Sequence, residues 1–201
     1  ERAALPADQR PDALITLLVE TEIDGEPLDR RHLLGTCFLL LLAGIDTTWS
    51  AIGSSLWHLA THPEDQARLR AEPDLIDSAV EELLRVYSPV TMAREVIADV
   101  DVAGCPMKPG DKVLMSFPAA NRDPAQFENP DEFIIDRERN RHVAFGSGIH
   151  RCLGSNLARM ELRVAIQEWL TRIPTFELAD PAAVTWTGGQ VRGPRTIPVR
   201  W

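Results

Sequence analysis

The sequence predicts a mainly α-helical fold with small antiparallel β-sheets, an α+β arrangement, on three observations. Residues 30–61 run without a proline through a leucine-rich stretch long enough for an unusually long helix. Residues 92–117 alternate Val and Ile with turn residues, the pattern of short strands. Residues 153–173 return to a clear amphipathic helical period. With 201 residues and 44% hydrophobic content the chain has material for one sizeable core, so 1–201 reads as a single region.

Taken in order, Leu14, Ile15, Leu17 and Leu18 stand at helical spacing within 11–22, and Asp24, Gly25 and Pro27 break that pattern into a short loop. Asp29 is placed to N-cap a helix from Arg30 to about Thr61, stopped by His62 and Pro63. At 1.5 Å per residue it is roughly 45 Å long. Its first half is apolar nearly all round, which predicts burial between layers. Pro63 opens a short helix through Leu69, and Asp74 is placed to cap a third from Leu75 to Tyr87, ended by Pro89. Gly104 and the Pro109-Gly110 pair divide 92–117 into antiparallel strands. Residues 118–144, rich in Asn, Asp, Pro and Arg, form a long loop of the kind kept for function. The tail from Val184 to Trp201 reads as strands and turns.

A net charge of −9 and a pI near 5.0 argue against a nucleic-acid surface. Cys37, Cys105 and Cys152 are odd in number and widely spaced, so neither a disulfide framework nor a zinc cluster is indicated, and a reducing cytoplasm fits. The opening ERAALPADQRPD lacks the pattern of a secretory signal. The stretch CFLLLLAGI falls short of the roughly 20 residues a bilayer crossing needs. It is expected to be a core helix, and no membrane contact is expected.

The strongest local signal is FGSGIHRCLG, Phe145 to Gly154, which sets a cysteine at a helix entry behind a glycine-rich turn. A helix N-terminus favours an anionic sulfur, and its unpaired N–H groups moderate the sulfur's charge once a metal is bound. Gly146 and Gly148 admit backbone angles other residues resist, and Gly154 lets a flat macrocycle approach the helix. A lone cysteine is most often a small buried hydrophobe; ten residues in register are not a lone cysteine. The segment resembles the haem-binding loop of the cytochromes P450. That resemblance implies Cys152 as the thiolate ligand to the iron of heme b (iron protoporphyrin IX), Phe145 packed near the sulfur and His150 on a haem propionate. It also implies the chemistry of a thiolate-ligated iron, which favours O–O cleavage.

AGIDTT, Ala43 to Thr48, sets an acid and two hydroxyls inside an apolar helix. A buried carboxylate needs a partner or a shifted pKa, and a mid-helix Thr can bond back to the i−4 carbonyl. Alone, the segment is equally a helix kink with Asp46 in solvent. Beside the cysteine loop it resembles the family's oxygen-activating stretch, which implies Asp46 as a proton relay, Thr47 as the group ordering the delivering water, and Ala43 and Gly44 as the residues leaving room for oxygen.

Glu82 and Arg85 in EELLR share a helix face, an ordinary surface spacing. They resemble the family's Glu-x-x-Arg pair, whose third member matches Arg137 in IIDRERN, a structural triad. Arg94 resembles the family arginine that pairs with a propionate; the alternative is an exposed strand arginine. ANRDP, Ala119 to Pro124, also recurs in bacterial members and is expected to shape the loop. Leu40, Val90, Thr91, Met92 and Thr187 stand either where such enzymes contact substrate or in the apolar core. Arg139, Arg141, His142, Arg151, Arg159 and Arg163 form a basic group in an acidic chain, either solvated or a dock for an acidic electron donor.

The resemblance covers nearly the whole chain, as the C-terminal portion of the family's fold from the long helix onward, without its N-terminal helices. It implies a monooxygenase that places one atom of O2 in a small organic substrate, with electrons from a ferredoxin or a flavin/iron-sulfur reductase. The other function weighed is a truncated, non-catalytic haem-binding fragment.

Overall fold

A computed structural model describes residues 4–201, so residues 1–3 of the opening segment lie outside the described residues. The chain divides into two compact units, one up to Ile45 and the other from Asp46 onward, and the division falls inside a continuous helix.

In the first unit a 3-10 turn at Ala7–Gln9 precedes helix α1, Leu14–Glu20. Strands β1, Glu22–Ile23, and β2, Glu26–Pro27, then pair as a hairpin where the sequence suggested a plain loop. Asp24 and Gly25 take φ of 54° and 83°, the left-handed pair that a two-residue hairpin turn requires. A ladder this short leaves no periodicity to read. Helix α2, Arg30–Thr61, begins where Asp29 Oδ1 accepts the His32 N–H at 2.7 Å, the cap its sequence predicts.

Burial of the first half of α2 is the expectation the structure overturns. Leu34, Phe38, Leu39, Leu41, Leu42 and Ile45 are all exposed, Phe38 by 66%. Apolarity all round states what a helix needs, not what lies beside it. By length and composition alone α2 is also long and apolar enough to cross a membrane, a wider span than CFLLLLAGI suggested. Its later turns are core instead: Ala51, Gly53, Ser54, Ser55, His58, Leu59 and Ala60 are buried.

In the second unit α3, Pro63–Ala71, starts with its proline at the first turn. Asp74 does not cap the next helix; it sits in a 3-10 turn, Pro73–Leu75, and α4, Ile76–Val86, follows directly. The core is built from Leu59, Leu69, Ala79, Val80, Leu83, Leu162, Ile166, Leu170 and Phe176, which join α2, α3 and α4 to α6, Ser155–Arg172. Buried Gln66 donates to Leu59 O at 3.0 Å and Phe176 O at 2.9 Å, tying α3 to the chain beyond α6.

His58 is a polar hub inside this core. Burial, reinforced by the neighbouring His62, pushes its pKa down to about 3, so the ring is neutral. Its Nε2–H then donates to Asp65 Oδ2 at 2.9 Å while Nδ1 accepts the Tyr87 hydroxyl at 2.8 Å. α2, α3 and the end of α4 are thereby held through one side chain.

The strands make small antiparallel pairs. β3, Thr91–Glu95, pairs with β6, Lys112–Ser116; β4, Val100–Val102, pairs with β5, Cys105–Met107. After a one-turn helix α5, Phe117–Ala120, residues 121–147 run without a helix or strand until a 3-10 turn at Gly148–His150. Beyond α6, β7, Glu177–Leu178, pairs with β10, Val199–Arg200, and β8, Thr185–Thr187, pairs with β9, Gly193–Thr196.

Gly193 is where β9 meets α2. A Cβ there would lie 2.8 Å from Ser50 Cα, which is backbone and cannot move aside. Gly193→Ala is expected to destabilise the protein by about 1–3 kcal/mol through overpacking, a drop of several degrees in Tm by thermal unfolding. An unchanged melting curve would show that β9 is free to shift.

Candidate functional site

The long loop is held in place by Glu82, which is 0% exposed on α4. Its carboxylate accepts Arg85 Nε and Nη2 at 2.8 Å each, Arg137 Nε at 3.0 and 3.1 Å, the Ile134 N–H at 2.9 Å and Asn140 Nδ2 at 3.0 Å. Burial alone would raise the Glu82 pKa; these donors outweigh it and hold the carboxyl below its ordinary value. Arg85, also 0% exposed, spends its remaining donors on the carbonyls of Asn121, Pro130 and Glu132, at 2.9, 2.6 and 2.7 Å. A buried guanidinium with every donor occupied by a loop carbonyl or a carboxylate is a template for that loop.

Asn121, from the ANRDP run, adds the second anchor. Its Nδ2 donates to Ser88 Oγ at 2.6 Å and its Oδ1 accepts the Val143 N–H at 2.7 Å, so the end of α4 is bonded to the start of the cysteine loop.

That loop turns at Gly146, whose N–H donates to Val143 O at 2.8 Å. Gly146 and Gly148 have φ of 69° and 71°, where a side chain is strained. The Cys152 N–H donates to Phe145 O at 2.9 Å, which closes the loop, and α6 starts at Ser155. Cys152 is exposed, and so are Ile149, by 98%, and Leu153, by 85%. Nothing stands within 4 Å of where a Cβ on Gly148 or Gly154 would be.

One open thiol flanked by bared aliphatic side chains and two unfilled glycine positions fits a flat, largely apolar metal macrocycle that brings its own equatorial donors. No group of three or more His, Cys, Asp or Glu placed to hold a metal occurs among the described residues.

Sequence reasoning missed Glu81. Its carboxylate accepts Arg159 Nε at 2.6 Å and Nη2 at 3.0 Å, and His142 Nε2 at 3.0 Å. Burial works against the charge, but the bonds from His142 and Arg159 prevail and hold Glu81 at about 2. The group of basic residues is therefore divided: His142 and Arg159 are partnered by Glu81, and Arg163 lies 3.9 Å from Asp77. The first glutamate of EELLR was the available signal, but an acid on a helix does not name a partner 78 residues away.

Asp46 is exposed rather than buried, which corrects the expectation of a carboxylate enclosed in an apolar helix, and α2 is helical without interruption through AGIDTT. Together with Trp49, Ser50, Thr187, Gln190 and Arg195 it lines a cleft of about 250 Å³. Thr187 Oγ1 donates to Gly193 O at 3.0 Å. Val90 bridges Val191, the Thr91 N–H donates to Gln190 O at 2.9 Å, and Met92 Sδ accepts Gln190 Nε2 at 3.7 Å, so these three stand beside the cleft wall. Thr47 follows Asp46 on the next position of α2, half-buried. Leu40, Ala43 and Gly44 belong to the part of α2 before the division. Arg94 is exposed on β3 and donates to Ala93 O at 2.9 Å, and His150 is exposed in its 3-10 turn.

A family model described as Cytochrome P450 matches residues 1–180. A probable cytochrome P450 127A1 of Sinorhizobium fredii is 38% identical over 201 residues, 100% of this chain and 49% of that protein. The cytochrome P450 monooxygenase PikC of Streptomyces venezuelae is 39% identical over 194 residues, 94% of this chain and 47% of that protein. Among solved structures, the cytochrome P450 PksS of the Bacillus subtilis bacillaene polyketide synthase superposes with a TM-score of 0.90 at 41% identity, over 96% of this chain and 51% of that one. The chain thus spans about half the length of the curated relatives it matches.

Proposed function

The chain belongs to the cytochrome P450 family, and from that premise we propose that residues 1–201 are the haem-binding C-terminal portion of a monooxygenase, with Cys152 as the axial ligand to heme b. The observation that carries this is the bared thiol of Cys152 in a loop closed on Phe145 and set ahead of α6. Similarity to the monooxygenase PikC of Streptomyces venezuelae supports the reaction class. A haem held by this sulfur supplies O2 binding and reductive O–O cleavage, which thiolate donation favours.

The protein's own residues would do the rest. Phe145 would pack near the sulfur, while Gly146, Gly148 and Gly154 would keep the loop low enough for a macrocycle. His150 and Arg94, both exposed, would pair with the propionates. Asp46, open to solvent at the cleft, would take up a proton on its carboxylate and pass it to water ordered by the Thr47 hydroxyl, with Ala43 and Gly44 leaving room for oxygen. Leu40, Val90, Thr91, Met92 and Thr187 would meet a small organic substrate. Glu82, Arg85 and Arg137 would hold the haem loop. Electrons would come from a ferredoxin or a flavin/iron-sulfur reductase, in the cytoplasm, where three free cysteines are stable.

A carbon monoxide difference spectrum of the reduced, haem-loaded protein tests the assignment: a thiolate-type Soret band is expected, and its absence sinks the haem-thiolate assignment. A band without turnover would instead mark a non-catalytic haem-binding fragment. Asp46→Asn is expected to keep haem and spectrum while slowing turnover on the order of a hundredfold. Unaltered oxygen consumption and product yield would remove Asp46 from the proton path.

A further inference from the structure

Adjacent glutamates on α4 do different work. Glu82 organises the long loop from inside, whereas Glu81 reaches across to α6 and grips Arg159 with two bonds, at 2.6 and 3.0 Å. His142 steadies the same carboxylate: its Nδ1 accepts the Ala144 N–H at 3.2 Å, so its proton is on Nε2 and points at Glu81, 3.0 Å away. Arg159 Cζ stands 4.6 Å from the centroid of the Phe145 ring, a cation over a π-face. Phe145 O in turn accepts the Cys152 N–H at 2.9 Å.

A cation is thus fixed behind the ligand loop, and among the described residues the carboxylate that offsets its charge is that of Glu81. We propose that Glu81 is a positioning residue that, through Arg159 held on the Phe145 ring, sets the charge felt at the Cys152 sulfur and with it the ease of reducing the bound iron. This rests on Cys152 being the haem ligand. Reduction adds an electron, so nearby positive charge favours it and nearby negative charge opposes it. Removing the carboxylate leaves the cation uncompensated; removing the cation leaves the carboxylate uncompensated. The two changes must act in opposite directions. A clamp that merely braces the loop would loosen it either way and move both variants together.

The test is a spectroelectrochemical titration of the haem-loaded protein, read as the ferrous-to-ferric ratio at the wild-type midpoint. Glu81→Gln is expected to raise that ratio about threefold and Arg159→Gln to lower it about threefold. Shifts of the same sign, or unchanged ratios with an intact thiolate band, overturn the inference and leave the ligand assignment standing. If Glu81→Gln takes up no haem, Arg159→Gln decides alone, because a ratio that rises or stays constant rejects the proposal. Wild-type protein without a thiolate band removes the ligand assignment and the inference together.

Discussion

Glu82→Ala is expected to yield protein that retains no haem and is less stable by about 3–5 kcal/mol, because it strands the Arg85 guanidinium where no water reaches it. For a chain of this size that is a fall in Tm of roughly 10 °C. The large effect follows from asymmetry. A complete buried pair is close to neutral against an apolar replacement, while half a pair leaves a charge without compensation. Arg137, Ile134 and Asn140 would lose their common acceptor at the same time. Haem content per chain and thermal unfolding measure both consequences, and a Tm within about 1 °C of wild type would mean the loop holds without its template.

Acid should reach the same region. Glu81 is held at about 2 in the folded protein against an ordinary 4.5. A depressed carboxyl contributes stability that is fully present above the unfolded value and is lost as pH falls from about 4.5 towards 2. Glu82 is displaced in the same direction, so its contribution adds to the slope.

Cys152→Ser is expected to abolish the thiolate-type Soret band completely. A serine oxygen fits the same place in the loop and leaves the Phe145 bond unchanged, since that bond comes from the main chain. What disappears is the soft, strongly donating sulfur, on which a thiolate-type band depends. A variant that kept the band would direct attention to a different ligand, because Cys37 and Cys105 are the other free cysteines.

Much of the architecture was legible because local chemistry specifies it. Asp29 capped α2, Pro63 opened α3, and Gly104 and Pro109-Gly110 turned the chain, each through interactions within a few residues, although Pro109-Gly110 joins β5 to β6, which pair with β4 and β3 and not with each other. Asp74 failed as a cap because Pro73 draws it into a 3-10 turn that runs straight into α4. The exposed first half of α2 and the open position of Asp46 were misjudged for one reason: composition reports how costly exposure is, and burial depends on neighbours that composition does not name.

The motifs themselves, Phe145 to Gly154, Glu82 with Arg85, and Ala43 to Thr48, were complete in the amino-acid order, since spacing along one helix or turn is a local property. Family membership was visible there too. Pairings across long separations were not. Glu81 with Arg159 and His142, His58 with Tyr87, and Asn121 with Ser88 and Val143 exist because the packed fold brings distant groups within 3 Å. A charge carries no address in the sequence; the fold supplies it by excluding water and leaving one partner in reach.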